Sequence, residues 1–175
     1  MPASLSWIHG NALTMESPIY FRPNGEPGGR LILTPMGWGA EVVTEGHSVV
    51  SWMHIPIPSV RRDGPLTRFN LRRVFLLGEC ADAAVSEVHV YDGRKKLEEF
   101  SRTLTGDFLT KGFNNTFVMA SPRTINTGVV VSFLFNGLAG PEARPRLSVA
   151  AAGAEFDEAS LLLTTVGEIF RRVRP

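Results

Sequence analysis

The residues in this chain that could do chemistry are few. Its four histidines are His9, His47, His54 and His89, and its single cysteine is Cys80. In "EVHVY", Glu87, His89 and Tyr91 alternate, so a strand would set all three on one face with Asp92 close by. A mixed imidazole and carboxylate group of that kind could bind a divalent cation or carry protons. His47 and His54 are seven apart and would face opposite sides of an unbroken strand. No H-E-x-x-H spacing occurs, and a solvated outer face explains the same residues, so the sequence predicts no metal and no bound cofactor. The carboxylate pairs Glu98-Glu99 and Asp157-Glu158 read as surface and as the start of a helix. A lone cysteine excludes an internal disulfide framework and any multi-cysteine metal site; after the apolar run of "LLGECAD", Cys80 reads as a buried, inert thiol. There is no G-x-S-x-G elbow, no P-loop lysine and no G-x-G-x-x-G fingerprint, so no catalytic residue is predicted.

Ligand binding by aromatic side chains is the other chemistry on offer. "SWMHIPIPSV" (51–60) alternates Trp52 and His54 on one face with Met53 and Ile55 on the other. Its structural reading is a core strand, with Trp52 inside and His54 hydrogen-bonded near the end, leaving through Pro56 and Pro58. The functional reading exposes Trp52 to a sugar ring, with His54 as the polar contact. Trp38, between glycines in "PMGWGAE", belongs on a loop, and Tyr91 shares the polar face of His89. Trp38, Trp52, His54 and Tyr91 are therefore the candidate ligand-binding residues.

The elements that must position these residues are short. Strand-like segments occur at 18–22, 30–34, 47–55, 68–78, 85–91, 115–121, 127–135 and 146–156, separated by turn residues, with no helical period between them. That pattern predicts an all-β fold, an antiparallel β-sandwich of jelly-roll or Greek-key type. In "VVVSFLF", Val129, Val131, Phe133 and Phe135 share one face, as in a central strand. In "RFNLRRVFLL", Arg73 interrupts the phase of Phe69, Leu71, Phe75 and Leu77, which predicts a bulge at Arg72-Arg73. Asp92-Gly93 and "RPNGEPGGR" (22–30) are turn signals.

The end of the chain reads differently. In "DEASLLLTTVGEIFRRVRP", Leu162, Val166, Ile169 and Val173 recur at helical spacing with Leu163 and Phe170 alongside, and Asp157 or Ser160 is placed to cap a helix. The division is thus a β-sandwich domain over 1–156 and a C-terminal amphipathic helical extension over 157–175. Leu162, Val166, Ile169, Phe170 and Val173 would form an oligomerisation stripe, packing on a neighbouring subunit or on their own domain.

Hydrophobic residues at 43% and charged ones at 20% mark a globular chain, and a net charge of +1 gives no field for nucleic acid. The basic clusters at 61–62, 94–96 and 171–174 lie far apart. No apolar run approaches a membrane span, no basic and apolar leader opens the chain, and the cytoplasm is the expected compartment. "WIHGNAL", "WMHIPIPSV", "VSEVHVYDG", "TGVVVSFLF" and "LSVAAAGAEF", spanning residues 7 to 156, resemble a family of uncharacterised microbial β-sandwich domains. That resemblance implies an all-β fold and no particular site residue. The expectation is a non-catalytic interaction or structural protein that assembles with itself or with another protein. A carbohydrate- or small-ligand-binding module is the first alternative, and an enzyme using His89, Glu87 and Asp92 the second.

Overall fold

The computed structural model describes residues 3–16, 19–21, 27–46, 49–58, 67–137 and 143–160. They form twelve strands and one short 3-10 turn, η1 (Gly10–Ala12), with no α-helix among the described residues. The strands are β1 (Ala3–His9), β2 (Thr14–Met15), β3 (Ile19–Phe21), β4 (Pro27–Met36), β5 (Gly39–Gly46) and β6 (Val50–Ile57). They continue with β7 (Thr67–Asp92), β8 (Lys95–Phe100), β9 (Leu104–Asp107), β10 (Thr116–Thr124), β11 (Val129–Gly137) and β12 (Arg146–Ser160). All pair antiparallel in one curled sheet, ordered β2-β6-β11-β7-β12-β5-β4-β3, with β1 on β12 and β8, β9 and β10 on β7. No helix of the described residues is long and apolar enough to cross a membrane.

The spine is β7, 26 residues long. Two segments that read as separate strands, 68–78 and 85–91, are joined through "GECADAA" into this one element. One edge of β7 pairs with β12 as far as Ala81 and with β11 from Ala83 onward. Between them Asp82 has a positive φ of 48°, the only such non-glycine residue described. Its carboxylate accepts a hydrogen bond from the Arg144 backbone N–H at 3.1 Å. The strand turns its corner there.

Alternation along β7 slips three times, and each slip coincides with an irregularity. Phe69 and Leu71 face the core, then Val74, Leu76 and Cys80, then Ala83 and Val85, then Val88 and Val90. The first change falls at the bulge that leaves Arg72 out of register between Leu71 and Arg73. The second is at Asp82, and the third at Ser86, skipped between Val85 and Glu87 in the pairing with β11. A bulge adds one residue and so exchanges the faces of everything beyond it. The predicted Arg72-Arg73 bulge is present, yet it sends Val74 and Leu76 to the core rather than Phe75 and Leu77.

Phe75 is nonetheless fully buried, on the opposite face. Trp7, Gly153 and Phe75 form one cross-strand row over β1, β12 and β7. Trp7 stacks on Phe75, with ring centroids 5.5 Å apart and planes 23° from parallel, and Lys111 Nζ lies 3.7 Å from the Phe75 centroid. The row requires glycine in the middle, since a Cβ at Gly153 would stand 2.5 Å from the Trp7 ring.

The main core is a single cluster running from Leu31 and Val42 on β4 and β5, through Met53, Ile55, Phe133 and Phe135, to Phe117, Leu147 and Phe156. Each such side chain contributes roughly 1.5–3 kcal/mol on leaving water. Val129, Val131, Phe133 and Phe135 lie on that inner face as expected, with Val130 and Leu134 half-buried on the other. β6 continues through Pro56 to Ile57, beyond its short pairing with β2, where no described strand requires the missing N–H.

The C-terminal part departs from expectation. Asp157 to Ser160 extend β12 against Thr67 to Asn70 instead of starting a helix. The Asp157 carboxylate is used as the acceptor for Arg72 Nε, beside Arg73 Nη2 to Glu155 Oε1 at 2.7 Å, so the acids of β12 neutralise the bulge arginines. The helical stripe Leu162, Val166, Ile169, Phe170 and Val173 lies outside the described residues, as does 22–26 of the predicted loop.

β7 and β8 are joined by a two-residue turn, with Gly93 at φ 58°. Asp92, expected beside His89, points inward instead. It accepts hydrogen bonds from the backbone N–H groups of Asn126 (2.9 Å), Thr127 (2.7 Å) and Gly128 (3.1 Å) and from Asn126 Nδ2 (3.2 Å). Burial pushes the Asp92 carboxyl up, but these donors outweigh it and hold the group below the ordinary carboxylate range. The folded form therefore binds its proton less readily than the unfolded chain. The resulting stabilisation is present above the unfolded pKa and disappears as pH falls through the folded one. Asp92→Ala should cost about 2–3 kcal/mol in urea unfolding at pH 7 by removing the charged acceptor of four hydrogen bonds from the turn at 126–128. The gap from wild type should narrow as the medium is made acid enough to protonate Asp92.

Candidate functional site

Ladder register, rather than proximity in sequence, assembles the site. Thr14, His54, Ser132, His89 and Glu99 are successive partners across β2, β6, β11, β7 and β8, one row on the outer face of the sheet. Directly opposed residues project to the same side. Trp52, Leu134 and Glu87 form the next row, and Pro56, Val130, Tyr91 and Lys96 the row beyond. A bulge at Leu97, skipped between Glu98 and Lys96, brings Lys96 to the same face as Glu99. The slip at Ser86 works likewise on β7, placing Glu87, His89 and Tyr91 outward while Val88 and Val90 enter the core.

His89 is the centre of this face and is only 9% exposed. The Trp52 indole covers its ring, with centroids 4.5 Å apart and planes at 36°, and Tyr91 lies on it at 6.2 Å. Tyr91 Oη is 3.4 Å from His89 Nδ1. His89 Nε2 lies 3.4 Å from Glu87 Oε2 and 3.5 Å from Glu99 Oε2, yet it makes no hydrogen bond and is shut off from water. Glu99 also takes the Lys96 ammonium at 2.6 Å. That contact, with the His89 ring, holds the Glu99 carboxyl below its usual range, and Glu99 raises Lys96 in turn.

His54 is held differently. Its Nδ1 is 2.8 Å from Ser132 Oγ, and its Nε2 faces Glu16 Oε1 at 3.4 Å. The order serine, imidazole, carboxylate has the connectivity of a hydrolase triad, but not its working geometry. Ser132 is 3% exposed, and the backbone around it is committed to ladders with β6 and β7. No free pair of N–H groups is left there to receive an oxyanion.

Between these groups runs an open groove of about 530 Å³, lined by Glu16, Trp52, His54, His89, Tyr91, Gly93, Arg94, Val130 and Ser132. Three of the four ligand-binding residues expected from sequence (Trp52, His54 and Tyr91) line it, all partly exposed. Trp52 is thus on the outer face and Met53 is the core residue of that pair. Trp38 is not among the lining residues; it sits half-exposed in the turn between β4 and β5. The expected grouping of Glu87, His89 and Asp92 is corrected by the inward turn of Asp92, and Glu99 takes its place. Glu99, Ser132 and Glu16 carry no motif. Only the alternation of Glu99 with Phe100 could have marked its face, and the bulge at Leu97 breaks that pattern earlier on β8.

Cys80 belongs to the core, 6% exposed. Burial is the main cause that pushes its thiol up to about 12. Only about one thiol in ten thousand would then be ionised at pH 8. Ellman's reagent should leave native protein nearly untouched over minutes and titrate one thiol per chain at once in guanidinium.

No protein-family model matches the chain and no curated protein matches it, so the resemblance noted in its sequence carries no family assignment.

Proposed function

We propose that this chain is a binding module for a small polar ligand with an apolar face, of which a saccharide is the representative class, held in the groove of the outer sheet face. The observation that carries the reading is the placement of Trp52 and Tyr91 about His89, half-exposed, with Glu16, His54 and Arg94 around them. Aromatic rings bury the apolar face of a sugar, while carboxylate, imidazole and guanidinium groups meet its hydroxyls. The ladders hold Trp52, His54, His89 and Tyr91 on strands, which limits the entropy lost on binding. A jelly-roll sandwich, with the two halves of the curled sheet face to face, is the closure that suits this reading. Titration of the full chain with a panel of neutral and acidic oligosaccharides, followed by tryptophan fluorescence, tests it. Saturable binding should weaken at least about tenfold in Trp52→Ala, the loss of one aromatic anchor, and be unchanged in Trp38→Ala. No saturable binding across the panel, or equal binding by Trp52→Ala, sinks the proposal.

A second reading is self-association. β12 ends at Ser160, three residues past the pairing of Asp157 with Ala3, the first residue of β1, and the apolar stripe 162–173 follows in the sequence. Leu5 and Trp7 on that strand are exposed at 52% and 41%, and Trp7, Ile8, Leu77 and Ala151 line an almost wholly apolar groove. The stripe of a second copy is the occupant that such a face suits. Light scattering should give a dimer for the full chain and a monomer for Ile169→Glu/Phe170→Glu. A monomeric full chain at micromolar concentration overturns this reading.

A further inference from the structure

We propose that Glu87, His89 and Glu99 form a binding site for a first-row divalent cation of zinc type, with His89 Nε2 as its anchor. The inference does not depend on a saccharide being the ligand of the groove. It rests on an oddity of the outer face. Nε2 is a buried polar atom that no described group satisfies by a hydrogen bond. Such atoms are rare in folded proteins because each carries the cost of lost hydration. This one is aimed between two carboxylates, and one ligand oxygen from each lies with Nε2 inside a span of 4.8 Å.

The two distances from Nε2 have the size a metal requires. Zinc takes imidazole nitrogen and carboxylate oxygen at about 2.0–2.2 Å, so neighbouring ligands of a tetrahedral site stand about 3.4 Å apart. The separations of 3.4 and 3.5 Å from Nε2 to the two carboxylates meet that value and are too long for good hydrogen bonds. The imidazole favours zinc over magnesium or calcium, which prefer oxygen alone. The two carboxylates match a doubly positive ion in charge.

The surroundings supply what orients a ligand. Trp52 and Tyr91 hold the ring, and Tyr91 Oη stands by Nδ1, which leaves Nε2 free to coordinate. Glu87 and His89 are two apart on one strand, and Glu99 is the direct cross-strand partner of His89. Three ligands from two paired strands leave a fourth position open to water or to a donor atom of a bound molecule. Lys96 competes for the site, since its ammonium now neutralises Glu99 at 2.6 Å.

Calorimetry on the untagged full chain, stripped with EDTA and titrated with zinc chloride, tests the proposal. One equivalent should bind, and cobalt(II) should bind in its place with the visible absorption of a four-coordinate ion. His89→Ala and Glu99→Gln should each weaken zinc by more than about 100-fold, beyond the range typical of groups that only orient a ligand. Glu99 is half-exposed, so its variant keeps the result readable if His89→Ala folds poorly. Lys96→Met should tighten binding by up to about fivefold, the reach of an exposed ion pair. His9→Ala, which removes an exposed histidine of β1, should leave it unchanged. Absence of saturable binding at one equivalent, or wild-type affinity in both Glu99→Gln and His89→Ala, overturns the site.

Discussion

β7 lends its two edges to β8, β9, β10, β11 and β12, and the rest of the molecule is arranged by how one strand can satisfy five neighbours. A continuous strand has one alternation of faces, and a sheet that curls around a core cannot keep that alternation over 26 residues. β7 resolves the conflict with single-residue slips at Arg72, Asp82 and Ser86. Each costs a little ladder regularity, and each returns the next apolar side chains to the interior. Ion pairs from Arg72 and Arg73 to Asp157 and Glu155 hold the first slip. The Asp82 carboxylate, bonded to the Arg144 backbone, holds the second.

The same slips decide what the outer face carries. Near β1 it is hydrophobic, because the first slip turns Phe75 outward and Trp7 covers it across Gly153. Near β6 and β8 it is polar, because the third slip turns Glu87, His89 and Tyr91 outward beside Trp52 and His54. His89 is then buried by aromatic rings on a face that otherwise meets water. Its Nδ1 side meets a hydroxyl and its Nε2 side meets only acids. Two carboxylates converging on an unsatisfied nitrogen are costly in isolation; the Lys96 ammonium offsets the charge of Glu99, and a bound cation would satisfy the nitrogen as well.

Much of this was legible from local pattern. The alternation of Val129, Val131, Phe133 and Phe135, the bulge at Arg72-Arg73, the Asp92-Gly93 turn and the shared face of Glu87, His89 and Tyr91 all follow from residue type and a period of two. The merging of 68–78 with 85–91 was not legible. "GECADAA" is small and polar enough to read as a turn, and only its pairing on both edges keeps it extended. Adjacency in sequence places Asp92 with Glu87 and His89, whereas its carboxylate is drawn inward by three backbone N–H groups of a distant turn. Asp157 looked like a helix cap, and Arg72, far away in the chain, claims it as a strand partner instead.

From the amino-acid order alone came the all-β character, the antiparallel turns, the burial of Cys80 and a set of candidate residues. These depend on side-chain type and on neighbours one to four positions away. Which of those residues meet was decided by the tertiary structure. His54, Ser132, His89 and Glu99 come from four strands, and their row exists only at one register of three separate ladders. Register is set by the sum of core burial over the whole sheet, a quantity that no local stretch of sequence contains.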